Sequence, residues 1–273
     1  MNVITSSRNP TVQAARKLGR ASARAGRGHF LLEGAKGIRA ALDARVGVTT
    51  LLATPAAADR HHRLVDDAER GGAQVLLVAE SVLAGLAQTV TPQGLVAVVP
   101  SVVRPLDALP AAPRLVCVLA EVRDPGNAGT VLRAADAFGA DAVVTTAGSV
   151  DLESPKAVRA SAGSLFHLPV VAGVEWRRLA GALADRGVAL VGADPHAGDD
   201  TDAAPLDRPV AIVLGNEAHG LGAEARRDLH HLVRLPTYGR AESLNLAAAA
   251  AVLLYETARR RRAAAREEAA AVG

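Results

Sequence analysis

Along the first hundred residues, short runs of branched apolar side chains alternate with stretches whose apolar positions recur every three or four residues. FLLEG (30–34), VTTLLAT (48–54), AQVLLVA (73–79) and GLVAVV (94–99) read as strands. AKGIRAALDA (35–44), DRHHRLVDDAERGG (59–72) and ESVLAGLAQ (80–88) read as helices. Before them, after Asn9-Pro10, TVQAARKLGRASARAGR (11–27) has helical spacing with basic residues on its polar face, breaking at Gly26 and Gly28. Prolines at 100, 105, 110 and 113 then interrupt any regular element. The pattern resumes with RLVCVLAEV (114–122), apolar enough to be buried on both faces. A helix over 127–139 follows, then ADAVVTTA as a strand, a helix around SPKAVRASAG and HLPVV as a strand. WRRLAGALADRG is a helix, VALVGADP and PVAIVLG are strands, AEARRDL is a helix, LVRLP is a strand, and a long helix runs from about 243 to 265. The sequence thus predicts a domain over 1–103, a proline-rich linker over 104–112 and a second α/β domain over 113–273. Strand–helix alternation makes the first domain three-layered and the second mostly parallel.

Composition changes this picture little. Of 273 residues 49% are hydrophobic but only 2% aromatic, so the cores must be built from Ala, Val and Leu. The longest apolar run, Leu246 to Leu254, is half alanine and stops at Tyr255, too short to span a bilayer. The opening MNVITSSRNPTVQAARK places charges where a signal peptide needs apolar residues, and the expectation is a cytoplasmic protein without membrane attachment. Cys117 lies in LVCVLA and reads as a buried small hydrophobe; no Cys/His spacing suggests a metal. The pairs His61-His62 and His230-His231 lie among polar residues and read as surface.

Charge is distributed unevenly. Residues 1–45 hold nine basic side chains against Glu33 and Asp43, a balance of +7 in a chain of formal net charge +3, so the remainder carries −4. A basic segment on a slightly acidic chain points to a polyanion partner, with a solvated basic face as the alternative. Lysine occurs only at 17, 36 and 156, and the surplus of arginine goes with abundant Ala, Gly and Val. It is a compositional bias and adds little to the case for phosphate recognition.

Three segments invite a functional reading, and each also has a bland one. In EVRDPGNAGTVLRAADAF (121–138) a turn after a strand launches a helix that carries Arg133 among apolar neighbours, for a phosphate, an active site or a salt bridge. Its loop lies where ligands bind in parallel sheets. It is neither a GxGxxG nor a P-loop fingerprint, and Asn127 could simply cap the helix. In VLGNEAHGLG (213–222), Gly215 and Gly220 allow close backbone approach, while Glu217 could serve a ligand or a helix dipole; His219 reads as a turn residue. In LPTYGRAESLNLAAAAAVLLYE (235–256), Ser243 is a natural N-cap, and Asn245 in the first turn of a buried helix needs hydrogen-bond partners.

The order and spacing of NAGTVLR, LGNEAHGLG and LP…ESLNLAAAAAVLLYE resemble the three motifs of the SpoU/TrmH branch of the SPOUT RNA 2′-O-ribose methyltransferases. SPKAVRASAGSLFHLPV (154–170) is similar to that branch as well. ITSSRNPTVQAARKL…GHFLLEG is similar to the ribosomal-protein-L30e-like substrate-binding domain fused to many members. The resemblance implies an N-terminal L30e-like α/β/α domain and a C-terminal SPOUT α/β domain with a deep trefoil knot, acting as a homodimer whose sites borrow residues from the neighbouring subunit. It implies S-adenosylmethionine as cofactor, in a pocket formed by Leu214, Gly215, Gly220, Leu235 and Leu244. It makes Arg133 the central catalytic residue, with Asn127, Glu217, Ser243 and Asn245 completing the polar wall. Arg8, Arg16, Lys17, Arg20 and Arg27 become the RNA contacts, and the appended domain favours ribosomal RNA, most specifically 23S, over transfer RNA. A non-catalytic RNA-binding protein would have lost Arg133 or ESLN, both intact here. A dinucleotide oxidoreductase would need a glycine-rich turn where the chain has EGAKG or ATPAAAD.

Overall fold

A computed structural model describes residues 2–87, 89 and 91–272. The chain forms two compact units, Met1–Val102 with Asp151–His167, and Val103–Val150 with Leu168–Gly273. In chain order the first unit contains α1 (Pro10–Lys17), α2 (Ala21–Arg27), β1 (His29–Glu33), α3 (Ala35–Asp43), β2 (Thr50–Ala53) and α4 (Pro55–Arg60). It continues with α5 (His62–Arg70), β3 (Gln74–Leu77), α6 (Glu80–Ala84) and β4 (Leu95–Pro100). The second unit opens with β5 (Val103–Arg104), β6 (Leu115–Leu119), α7 (Pro125–Ala137) and β7 (Ala142–Thr146). The chain returns to the first unit for α8 (Pro155–Ser161). It finishes the second with β8 (Val170–Val174), α9 (Trp176–Ala184), β9 (Ala189–Ala193), β10 (Asp199–Asp200), β11 (Val210–Leu214), α10 (Ala223–Asp228), β12 (His231–Arg234) and α11 (Leu246–Val272).

The first unit is built on a sheet of order β1-β4-β2-β3, in which β4 runs antiparallel to both neighbours. Val12, Ala15 and Leu18 from the α1 segment, with Val82 and Leu83 of α6, pack on Leu31, Leu52 and Val96. Strand alternation turns Phe30, Leu32 and Leu51 to the opposite face, where α3, α5 and α8 lie, giving the α/β/α layering the sequence predicts. Asn9 caps α1 by accepting the N–H groups of Thr11 and Val12, and Pro10 occupies the first helical position. The single helix expected over 11–27 is two helices, because the backbone tightens at 18–20 to seat Leu18 in the core. Arg24 seals that break: its buried guanidinium donates to the Leu18 carbonyl at 2.9 Å and pairs with Asp151 at 2.7 Å. The helix expected over 59–72 is likewise split at His61, and that over 80–88 is observed as Glu80–Ala84, its last residue, Gln88, lying outside the described residues.

Two expectations about the domain boundary are revised. Residues 151–167 belong to the first unit, where Leu152, Ala157 and Leu165 are buried and Phe166 stacks on Phe30 with centroids 6.3 Å apart. The Glu153 carboxylate holds them there, accepting the Ser101 hydroxyl and the Val102 N–H at 2.8 Å each. Nor is 104–112 a free linker, since β5 pairs with β8 and Leu109 is buried in the second core.

The second unit has an eight-stranded sheet of order β10-β12-β9-β11-β6-β7-β8-β5, parallel at every pairing. Its central strands are buried along their whole length, as their unbroken apolar runs require. Cys117 sits in this core, where burial pushes its thiol up to about 12. Among the described residues no helix is long and apolar enough to cross a membrane, and no cluster of three His, Cys, Asp or Glu could hold a metal.

Candidate active site

Strands β12, β9, β11 and β6 are neighbours and parallel, so the loops leaving their carboxyl ends emerge side by side. There they surround a cavity of about 980 Å³.

The loop after β6 is held in a costly conformation. Glu121 has φ 57°, in the left-handed region, which for a residue other than glycine costs roughly 1–3 kcal/mol. Its N–H donates to the Thr146 hydroxyl at 3.0 Å, and its carbonyl accepts from the Asn216 amide at 2.8 Å. Three residues on, Asp124 caps α7 by accepting the Asn127 N–H at 2.8 Å. Asn127 is therefore not the cap, and its side chain is directed to other partners. Its amide donates to Glu217 Oε1 at 3.2 Å, and its carbonyl oxygen accepts from the Asn245 amide at 3.1 Å.

Beyond β11 the backbone folds on itself. A Cβ on Gly215 would lie 2.3 Å from the Gly220 carbonyl carbon and 2.5 Å from the Leu221 nitrogen, so only glycine fits. Asn216 and Gly220 exchange both backbone hydrogen bonds at 2.9 Å across this tight loop, with Gly220 at φ 66°. The Asn216 side chain accepts the N–H groups of Ala218 and His219, which fixes His219 as a turn residue. At the tip, the Glu217 carboxylate accepts the N–H groups of Arg123 at 3.1 Å and Asp124 at 3.0 Å. Burial alone would raise this carboxyl, but the N–H groups of Arg123, Asp124 and Glu217 itself, with the Asn127 amide, outweigh it. They hold the carboxyl below its ordinary range.

The third loop, from Leu235 to Asn245, enters α11. Asn245 rather than Ser243 starts that helix, accepting the Ala247 N–H at 2.9 Å, and so the helix begins at 246 instead of about 243. Three separate loops are thereby tied through one chain of side chains, Glu217–Asn127–Asn245.

Asn127, Glu217, Ser243 and Asn245 line the cavity, together with Leu214, Gly215, Gly220, Leu235 and Leu244. Arg133 does not. It is exposed on α7, six residues beyond Asn127, and has no hydrogen-bond or ion-pair partner among the described residues, which sets the salt-bridge alternative aside. Arg8, Arg16, Lys17, Arg20 and Arg27 are exposed on the first unit, with the Arg16 guanidinium also donating to the Gly85 carbonyl at 3.2 Å.

Cavity residues that sequence reasoning missed include Asp194, Arg226 and Tyr238. Asp194, 6% exposed, pairs with Arg226, whose guanidinium also donates to the Leu221 carbonyl at 3.0 Å, bracing the glycine loop from below. Its signal was its place at the carboxyl end of the VALVGA strand. Tyr238 is 97% exposed in a chain almost without aromatics, and no periodicity marks it.

Comparison with known proteins places both units. The SpoU rRNA Methylase family matches residues 114–255, and the MRM3-like substrate binding domain matches residues 9–97. The 23S rRNA (guanosine(2553)-2′-O)-methyltransferase RlmP of Bacillus subtilis is 34% identical over 251 residues, covering 90% of this chain and 95% of that one. An uncharacterized tRNA/rRNA methyltransferase of Synechocystis sp. is 34% identical over 244 residues, with 89% of each chain covered. Among solved structures, the AdoMet-bound rRNA methyltransferase of Sinorhizobium meliloti superposes with a TM-score of 0.85 at 32% identity, over 94% of this chain and 97% of that one.

Proposed function

The chain belongs to the SpoU rRNA Methylase family, and from that premise we propose that it transfers a methyl group from S-adenosylmethionine to a ribose 2′-hydroxyl of RNA, with 23S ribosomal RNA as substrate. The observation that carries this reading is the Glu217–Asn127–Asn245 chain, which joins the loops of all three motifs at the rim of one large cavity.

The residues present suit the cofactor. The cavity is large enough for a nucleoside-sized ligand, and Leu214, Val233, Leu244 and Leu253 give it apolar walls. Glycine at 215 lets the Gly220–Leu221 backbone close against it, which shapes the loop backbone that lines the cavity. Leu214, Gly215, Gly220, Leu235 and Leu244 would hold it. When bound, it supplies a methyl group on a sulfonium centre, already activated toward an oxygen nucleophile.

What remains for the protein is alignment and removal of one proton. Glu217 has its oxygens taken up by backbone N–H groups and stays ionised, so it positions the first loop and donates no proton. Asn127, engaged on both sides of its amide, keeps the Asn245 side chain and the start of α11 in register. Ser243 and Asn245 present polar atoms to the ribose. Arg133 clamps the target phosphate and stabilises the developing 2′-oxyanion; a guanidinium with a pKa above about 12 is a poor base, so the proton leaves with the help of the phosphate.

Since Arg133 lies outside its own cavity wall, the reading has it serve the cavity of a second copy. What supports a homodimer is the outer face of α11, where Val252 is 46% and Tyr255 53% exposed, the latter edge-on to Phe138 at 5.6 Å. A trefoil knot at the C-terminus of the catalytic domain and a cytoplasmic location belong to the same reading. The exposed basic side chains Arg8, Arg16, Lys17, Arg20 and Arg27 give the first unit its phosphate contacts.

The test is incubation of purified protein with tritiated S-adenosylmethionine and, separately, ribosomal RNA and transfer RNA from a strain lacking the gene. Label in 23S rRNA, at one position resistant to alkaline cleavage, is the expected result. Label confined to tRNA would reassign the substrate, and no label with no cofactor binding would overturn the enzyme reading.

A further inference from the structure

On the face of the first unit opposite α1, the amino end of α3 and the α4–α5 junction enclose a cleft of about 400 Å³. Its wall carries Lys36, Arg39, Arg60, His61, His62 and Arg63, and no carboxylate. The charge on Arg39 is matched, by Asp67 at 2.7 Å and Asp43 at 3.6 Å, and this clamp ties α3 to α5. Lys36, Arg60 and Arg63 have no acidic partner among the described residues, and all three are exposed. Three like charges around one cleft repel each other mildly in water and gain when an anion enters.

We propose that this cleft binds backbone phosphates of the RNA substrate, through Lys36, Arg60 and Arg63, as a contact set separate from the cations of α1. The inference rests on the RNA-methyltransferase reading. Two guanidinium forks beside an ammonium suit a phosphodiester chain, whose oxygens accept paired N–H donors. The cleft is open and its cations are exposed, as a polymer backbone passing across it requires. It also lies wholly within residues 9–97, the part matching a substrate binding domain. Because α1 packs on the other face of the sheet, the RNA would meet this unit on two sides.

The experiment is filter binding of radiolabelled 23S rRNA to the full-length protein between 50 and 200 mM KCl. The wild type is compared with a Lys36→Gln/Arg60→Gln/Arg63→Gln variant and with the charge-keeping Lys36→Arg/Arg60→Lys/Arg63→Lys variant. Each lost phosphate contact should flatten the plot of log affinity against log salt by about 0.7–0.9. The neutral variant is therefore expected to lose about two units of slope and about tenfold or more in affinity at 100 mM. The charge-keeping variant should retain the wild-type slope, and both should keep wild-type cofactor affinity and melting temperature. If the triple variant does not fold, Lys36→Gln alone should flatten the slope by nearly one unit. A folded neutral variant with unchanged affinity and slope would overturn the cleft while leaving the enzyme reading intact. Saturable binding of inorganic phosphate that the neutral variant loses, without any change in RNA affinity, would make it a small-anion site and overturn the proposal too. Failure of the wild type itself to bind 23S rRNA would instead count against the functional reading, and the cleft would fall with it.

Discussion

Glu217 stands between two glycines in LGNEAHGLG, where a helix dipole or a ligand would each account for a carboxylate. Its oxygens instead accept the N–H groups of Arg123 and Asp124, in a loop more than ninety residues earlier. Because the folded carboxyl lies below its ordinary value of 4.5, its contribution to stability is fully present above that pH and is lost as pH falls through the folded value. Glu217→Gln should therefore be less stable than wild type at pH 7, by about 1 kcal/mol. In thermal melts from pH 7 to 3 the gap should narrow once the pH falls below 4.5 and close as the folded carboxyl takes up its proton; a constant gap would mean that the carboxylate charge is irrelevant. Arg133 gives the complementary case, a residue expected from the sequence to be catalytic whose location the sequence did not show. Alone among the ten expected catalytic and cofactor residues it is absent from the cavity wall. Arg133→Ala should bind S-adenosylmethionine like wild type in calorimetry and lose methyl transfer by at least 100-fold, in line with loss of one transition-state anion contact. Mixing it with an inactive variant of the cavity residue Asn127 should restore part of the activity if one subunit completes the site of another. Equal turnover in the Arg133 variant would end its assignment.

Elements were largely legible because their signals are local. Every strand of more than two residues overlaps an apolar run read from the sequence, for example Val210–Leu214 within PVAIVLG, although β8 runs three residues past HLPVV and β1, β4 and β12 each overrun their stretch by one. Failures lie where a remote partner decides. Ser243 and Asn245 are both good caps on composition; Asn245 is the cap because Asn127, over a hundred residues away, orients its side chain. Likewise Gly19 alone is a weak helix breaker, and the split between α1 and α2 depends on Arg24 reaching Asp151. The glycine loop after β11 shows the reverse situation, a constraint readable only as permission in the sequence and as necessity in the structure. Gly215→Ala must displace the Gly220–Leu221 backbone, and Gly220 lines the cavity, whereas Gly239→Ala in the third loop meets no atom within 4 Å. Calorimetry should show the first losing about tenfold or more in cofactor affinity, with the fold retained, and the second binding normally. Equal affinities would place the pocket elsewhere.

At the scale of the whole molecule, the proline cluster at 100–113 marks the crossing between the units, but nothing local reveals that the chain crosses back at 151 and again after 167. The helix SPKAVRASAG reads the same whichever core receives it; what decides is Phe166 finding Phe30 and Glu153 finding Ser101 and Val102. The first unit is therefore discontinuous, and the two cannot be separated by a single cut. A chain beginning at residue 103 keeps Leu152, Leu165 and Phe166 but lacks the sheet that buries them, each such side chain being worth about 1.5–3 kcal/mol when fully covered. It also leaves the Glu153 carboxylate without Ser101 and Val102. Such a truncation should bind a hydrophobic dye and aggregate at concentrations where the full chain is monodisperse by light scattering. The same truncation with Leu152, Leu165 and Phe166 changed to serine should recover solubility and cofactor binding, since the cavity residues all belong to the second unit. A simple truncation that stays monodisperse and binds no dye would mean that residues 151–167 find cover within the second unit, and that the boundary read from the sequence was physically sufficient after all.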